Sequence, residues 1–134
     1  MMRAGVLIAV LLLAGCATRP PLSCPAGQER LRTAQLFFGR NDAVQPHVSD
    51  RDFRRFVDEE LTTRFPDGLT VLDGGGQWKG EENRRIREAA KVVLIVLPRE
   101  GDPKPRLDAV KAAYRVRFNQ DSQLLVTAAS CVSF

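Results

Sequence analysis

The sequence predicts one α+β domain, an antiparallel sheet with two helices on one face, preceded by an N-terminal export segment. Two stretches, beginning near residues 49 and 102, place apolar side chains three and four positions apart, as on one side of a helix. Four other stretches are short, rich in aliphatic or aromatic residues, and bounded by Gly, Pro or polar residues, as strands are. Their order is β-α-β-β-α-β, which predicts the ferredoxin-like arrangement with a four-stranded sheet.

Residues 1–15 are typical of a signal peptide. Arg3 is followed by an uncharged, mostly aliphatic run through Gly15, shorter than the roughly 20 residues of a membrane-spanning helix. Leu13-Ala14-Gly15-Cys16 resembles the lipobox of bacterial lipoproteins, which implies cleavage before Cys16 and a lipid on its sulfur. An ordinary secretory signal with a chance cysteine, or an uncleaved anchor, are the alternatives.

A lipid on Cys16 makes the membrane the first expected partner, because several acyl chains together hold a protein stably on a bilayer. In lipoproteins an aspartate after the cysteine retains the protein at the inner membrane, and here that residue is Ala17. The resemblance therefore implies an outer-membrane anchor with the domain facing the periplasm.

Removal of residues 1–15 leaves 119 residues with a net charge of +3. This length suits one compact domain. The charge is too small to indicate a nucleic-acid partner, and export argues against one as well.

Cys24 and Cys131 remain once Cys16 carries lipid. Disulfides persist in oxidising compartments, so we predict that these two cysteines form one. Two unpaired thiols are the alternative, and a metal site is less well supported because few His or Cys ligands are present.

A tether is predicted over residues 16–29, where Pro20-Pro21 and Pro25 disfavour regular structure. The folded domain then covers residues 30–134. Its first strand is predicted over Arg30–Phe38, ended by Gly39 and a polar loop through Val48.

The first helix is predicted to begin at Ser49, with Asp52 three residues on as a variant of the capping box. It is predicted to end at Pro66-Asp67-Gly68. Its core-facing stripe is Phe53, Phe56, Val57, Leu61 and Phe65.

The second strand is predicted over Leu69–Asp73, with a break at Gly74-Gly75-Gly76 and a continuation at Gln77-Trp78-Lys79. A bulge or tight turn is the expected role of the three glycines. A turn over Gly80–Asn83 returns the chain into a third strand that contains Lys91–Leu97, which is apolar at consecutive positions.

The second helix is predicted to open at Asp102-Pro103, with Asp102 as its N-cap. Leu107, Val110, Tyr114 and Phe118 form its predicted buried stripe. The last strand is predicted over Ser122–Cys131. Because the first and last strands of this arrangement are antiparallel neighbours, the topology also brings Cys24 and Cys131 together.

Several segments resemble the bacterial domain-of-unknown-function family 3574 over about Ala34 to Phe134. The family brings no known activity, so the resemblance implies an envelope-lipoprotein setting and no mechanism. The segments are Phe37-Phe38-Gly39-Arg40, Arg64–Asp73, Gly76-Gln77-Trp78 and Ala129–Phe134.

We find no nucleophile with a base and no metal-ligand spacing, and we predict no catalytic residue, metal or cofactor. His47 is the single histidine and is expected in an exposed loop. Gly74-Gly75-Gly76 lacks the Gly-Lys-Ser/Thr continuation of a phosphate loop. Arg84, Arg85 and Arg87 could contact anionic lipid or peptidoglycan carboxylates, but a solvated strand edge explains them better.

A candidate ligand or partner patch comprises Arg40, Asp73, Gln77 and Trp78, which all lie near predicted strand ends. Trp78 offers a flat apolar surface, and Arg40 and Gln77 offer planar donors. Alternatively, Trp78 packs over the hairpin and Asp73 fixes a turn.

One face of the sheet is expected to be open and apolar, because helices cover a single face while the strand through Val92–Leu97 is apolar on both. A second copy, an envelope partner protein, or the chain's own loops could cover it. The leading hypothesis is a non-enzymatic module that binds a partner or small ligand. A small dimeric enzyme with a pocket at the sheet face and a passive structural protein are the alternatives.

Overall fold

The predicted α+β, ferredoxin-like fold is confirmed by a computed structural model, which describes residues 23–40 and 48–134. Within these residues the sheet has the order β2-β3-β1-β4, and every neighbouring pair is antiparallel. The elements in chain order are β1 (Glu29–Gly39), α1 (Asp50–Phe56), β2 (Leu69–Lys79), β3 (Arg85–Val96), α2 (Lys104–Phe118) and β4 (Leu124–Val132).

The first helix begins as predicted but changes its pitch. The backbone N–H of Asp52 donates to Ser49 Oγ at 3.1 Å, which caps α1. The chain then continues as a π-helical turn over Val57–Leu61, closed by the Thr62 N–H on the Val57 carbonyl at 2.8 Å. The wider turn places Phe56 and Leu61, five residues apart, both in the core. A regular α-helix through Phe65 was therefore the wrong expectation.

The three glycines do not interrupt β2. Each residue of β2 has one partner on β3, from Leu69 opposite Ile95 to Lys79 opposite Arg85, so there is no bulge. Gly74, Gly75 and Gly76 keep negative φ angles. The predicted break is wrong. Glycine has only a weak preference for strands, but the pairing with β3 keeps these three residues in the strand.

The second helix starts one residue later than predicted, at Lys104. Asp102 Oδ1 still accepts the Lys104 N–H at 3.0 Å, and Pro103 occupies the cap position. Asn119 ends the helix in the left-handed conformation, with φ of 50°. The predicted stripe is confirmed, since Leu107, Val110 and Tyr114 are buried and Phe118 packs against the core.

The core lies between the helices and one face of the sheet and is rich in aromatic rings. Phe38 of β1 packs against Phe53, Phe56 and Tyr114, with centroids 4.6–5.7 Å apart. The Tyr114 hydroxyl donates to the Gly39 carbonyl at 2.7 Å, and burial raises the pKa of Tyr114 above its ordinary value. These contacts join both helices to the central strand.

A disulfide joins Cys24 to Cys131, with their Cα atoms 5.4 Å apart and 107 residues between them in sequence. Arg30 of β1 pairs with Cys131 of β4, so the antiparallel register carries the end of β4 beside the start of β1. We call this the tether end of the sheet.

Two segments with predicted features lie outside the described residues. Residues 1–22 contain the predicted signal peptide and Cys16, and residues 41–47 contain His47. In the ranges 23–40 and 48–134, no helix has the length and apolar character needed to cross a membrane.

Candidate functional site

Two of the four residues in the predicted patch belong to one ion-pair cluster. Arg40 Nη2 lies 3.1 Å from Asp50 Oδ1, and Lys91 Nζ lies 2.8 Å from the same oxygen. Lys91 also contacts Asp73 Oδ1. The two cations are nearly buried and the two carboxylates are exposed, so the carboxylates neutralise charges that the fold takes out of water.

The charges of this cluster shift the pKa values of Asp50 and Lys91. The Lys91 hydrogen bond and then the Arg40 charge lower the pKa of Asp50, and the two carboxylates raise the pKa of Lys91. Arg40 also holds the chain on both sides of residues 41–47, because its Nε donates to the Val48 carbonyl at 2.8 Å and its own carbonyl accepts the Val48 N–H at 2.8 Å. These contacts explain Arg40 and Asp73 as structural groups.

Beyond the sheet, β2 and β3 continue as a two-stranded arm, which we define as residues 75–79 and 85–89. β1 pairs with β3 only as far as Ala90, so the arm has no third strand. Gln77 lies on the arm's polar side, where its Oε1 accepts from Arg87 Nε at 2.9 Å. A shallow groove of about 440 Å³ runs beside this pair.

Trp78 lies on the opposite side of the arm from Gln77, because successive residues of a strand point to opposite faces. It pairs with Ile86 and is 47% exposed. Arg40, Asp73 and Gln77 thus share the helix side of the sheet, whereas Trp78 belongs to the other side. The structure does not bring the four residues to one surface.

The side of the sheet facing away from the helices carries the larger surface, which we call the open face. Strand alternation and the pairing register assign its residues. It comprises Glu29, Leu31, Thr33, Gln35, Phe37 and Gly39 of β1, Thr70, Leu72, Gly74, Gly76 and Trp78 of β2, Ile86, Glu88, Ala90, Val92, Leu94 and Val96 of β3, and Leu124, Val126, Ala128, Ser130 and Val132 of β4.

The open face carries apolar side chains on all four strands. One row, Leu72, Val92, Phe37 and Leu124, is apolar throughout, and the next contains the apolar Leu94 and Val126 beside the uncharged polar Thr70 and Gln35. Leu72 is 51% exposed and Leu124 is 61% exposed. A solvated antiparallel sheet face normally carries polar side chains, so the exposed apolar side chains distinguish this face.

Two charged residues belong to the open face, and both lie at its margins: Glu29 at the tether end and Glu88 in the arm. Glu88 lies close over Gly39, where an added Cβ would collide with its carboxylate. The absence of a side chain at Gly39 therefore makes room for this carboxylate at the margin of the apolar rows.

A cavity of about 690 Å³ opens at the tether end of the open face. Its apolar floor includes Leu31, Leu94, Val96 and Leu97, and Asp67, Thr70, Arg99 and Glu100 line its rim. Its volume lies within the range of small-molecule sites, roughly 300–1,000 Å³. Arg99 of the rim pairs with Glu29.

Among the described residues, no three His, Cys, Asp or Glu side chains lie close enough together to bind one metal ion. The charged groups of the ion-pair cluster are engaged with one another. The described residues thus form an exposed apolar surface and an adjoining cavity.

Fold and surface together define a ferredoxin-like α+β domain with one sheet face left open. The chain belongs to the family described as protein of unknown function (DUF3574), whose family model matches residues 33–134. No curated protein matches the sequence.

Among solved structures, a phage SAM lyase in complex with S-methyl-5'-thioadenosine is similar in fold, with a TM-score of 0.56 and 14% identity. The match covers 84% of this chain and 95% of that one. The phage SAM lyase in its apo state gives a TM-score of 0.57 at 14% identity, over 86% of this chain and 97% of that one. At this identity the likeness is one of fold.

Sequence reasoning missed both the centre of the ion-pair cluster and most of the open face. The sequence predicts a helix start at Ser49, next to Asp50, and an apolar run that begins at Lys91, and neither pattern indicates an ion pair. The consecutive apolar run Leu124-Leu125-Val126 is a signal for the open face, since a strand that is apolar at successive positions carries apolar side chains on both faces.

Proposed function

We propose that this protein is a lipid-anchored envelope protein whose domain is a non-enzymatic binding module, with the open face as its binding surface. The uncovered apolar face is the observation that carries the proposal. Exposing apolar side chains on four strands costs free energy in water, and their burial against a partner recovers it.

The anchor half of the proposal rests on the lipobox-like segment ending at Cys16. The Cys24–Cys131 disulfide supports it, because disulfides persist in compartments outside the cytoplasm. The sheet attaches to the tether at the disulfide, so the arm lies at the end of the sheet away from the anchor.

Metabolic labelling of the full chain with an alkyne fatty acid in a bacterial host tests the anchor. We expect label on the native chain, none on the Cys16→Ala variant, and an outer-membrane location by fractionation. An intact mass that shows residues 1–15 retained and Cys16 unmodified would refute the anchor.

Chemical cross-linking in the native envelope tests the binding surface. Val126→Glu adds a charge to the open face, and Val116→Glu adds the same charge to an 87% exposed position on α2. We expect cross-linked species to disappear with Val126→Glu, to weaken with Trp78→Ala, and to persist with Val116→Glu. Equal effects of the two glutamates would remove the open face from the proposal.

A second candidate function is a small enzyme, favoured by the fold likeness to the phage SAM lyase. Thermal unfolding of the purified protein with S-methyl-5'-thioadenosine tests it, because a ligand that binds the folded state raises the melting temperature. The leading proposal predicts no shift. A shift that saturates with concentration would favour the enzyme.

A further inference from the structure

We propose that the partner on the open face is a second copy of this chain, so that two sheets pack face to face. This inference rests on the proposed binding surface and not on the lipid anchor. It commits the binding module to self-association as its first interaction.

The extent of the face suits such an interface. Four strands spaced about 4.8 Å apart and about seven residues long, with the arm added, project an area of about 600 Å². A standard protein interface buries about 800 Å² of accessible surface on each partner, and side chains add to the projected area. Two aligned sheets pack about 10 Å apart in this way in β-sandwiches.

Charge distribution restricts where two copies can meet. Once residues 1–15 are removed, the chain carries a net charge of +3, so two copies repel each other when charged surfaces meet. The apolar rows of the open face carry none of this charge, and they let two copies approach where repulsion is weakest.

Self-complementarity also follows from the rows. An isologous interface presents the same patch on both copies, and here each patch is uncharged in the middle. A foreign partner would need an uncharged surface of matching size, whereas a second copy supplies one. Charge complementarity, which usually selects a foreign partner, can act only at the margins of this face, where its carboxylates lie.

With the proposed anchors, the dimer has a defined orientation. Both tethers leave from the tether end, beside Cys24–Cys131, and both lipids must enter one bilayer. The twofold axis then runs along the strands, and both arms point away from the membrane.

Site-specific photo-crosslinking in the native envelope tests the inference. The full chain carries p-benzoylphenylalanine in place of Leu94, which lies in the second apolar row, or in place of Val116 on α2 as the matched control. We expect a product of twice the chain's mass, containing this chain alone, from position 94 and none from position 116.

The other outcomes separate the two proposals. A product from position 94 that contains only a different protein overturns the dimer and leaves the open face as a binding surface. No position-specific product from 94, with cross-linking unaffected by Val126→Glu, overturns both.

Sedimentation of the purified protein gives an independent measure. Leu94→Glu places one carboxylate from each copy in the interface, and we expect the dimer dissociation constant to rise by about a hundredfold or more. Val116→Glu should leave it unchanged. The far-ultraviolet circular dichroism of each variant must match that of the native protein, because Leu94 is already part-exposed and the monomer should tolerate the charge. A native protein that sediments as a monomer at all concentrations would overturn the inference.

Discussion

Asp50 contacts two nearly buried cations, Arg40 and Lys91, and its lowered pKa makes the cluster sensitive to acid. A carboxyl whose folded pKa lies below its unfolded value stabilises the fold fully above the unfolded value, near pH 4. That contribution is lost as pH falls through the lowered folded pKa. Lys91 has a raised pKa and the opposite behaviour, so its contribution is complete at neutral pH and is lost only above about pH 10.4.

We therefore predict that Asp50→Asn destabilises the protein at pH 7. The substitution should have no effect on stability at a pH low enough to protonate Asp50 in both the folded and the unfolded protein. Urea unfolding of the native and variant proteins between pH 2 and pH 7 measures the difference. Glu100→Gln, which removes a carboxylate from the β3–α2 loop, serves as a control. A destabilisation by Asp50→Asn that stays constant across this range would show that the carboxylate's charge contributes nothing.

Gln123 gives a second prediction at the scale of one side chain. Both polar atoms of its buried amide lack a hydrogen-bond partner among the described residues. An unsatisfied buried polar group costs about 1–3 kcal/mol. Gln123→Met keeps the side chain's length and removes the polar atoms, so we expect the free energy of unfolding to rise by about 1 kcal/mol. Urea denaturation measures this change. A lower free energy of unfolding for the variant would mean that bound water or a ligand forms hydrogen bonds with the amide.

Most elements followed from local periodicity, because the apolar stripes of the two helices repeat at helical spacing in the sequence itself. The π-helical turn did not, since its five-residue step from Phe56 to Leu61 is a response to packing in the core. The continuity of β2 was missed for a related reason. Glycine favours no particular backbone conformation, and the extended form of Gly74–Gly76 is imposed by the pairing with β3.

The disulfide acts between elements, because it joins the segment before β1 to the end of β4. In the chain-entropy account, closing a loop of this length stabilises a fold by about 2–5 kcal/mol. We predict that reduction lowers the free energy of unfolding by that amount, measured by urea denaturation with and without dithiothreitol. The double variant Cys24→Ser, Cys131→Ser should have the same free energy of unfolding as the reduced protein, and dithiothreitol should not change it. An unchanged midpoint on reduction would refute a stabilising role.

At the scale of the whole molecule, the sequence predicted the open face from one strand and left its extent undetermined. Val92–Leu97 was apolar on both sides, but the register that aligns Leu72, Val92, Phe37 and Leu124 is set by long-range pairing. The same limit applies to the candidate patch. Strand ends can be predicted from nearby residues. The side of the sheet to which Trp78 points cannot, because it depends on whether β2 continues without a break from Leu69 to Lys79.

The central claim is that the open face is covered in the cell, and carbene footprinting of the native protein in its own envelope tests it most directly. We predict that peptides containing Leu94 and Leu124–Val126 are labelled much less there than in the purified protein at high dilution. The peptide containing Val116 should be labelled equally in both samples. Equal labelling of the open-face peptides in the envelope and at high dilution would contradict the claim.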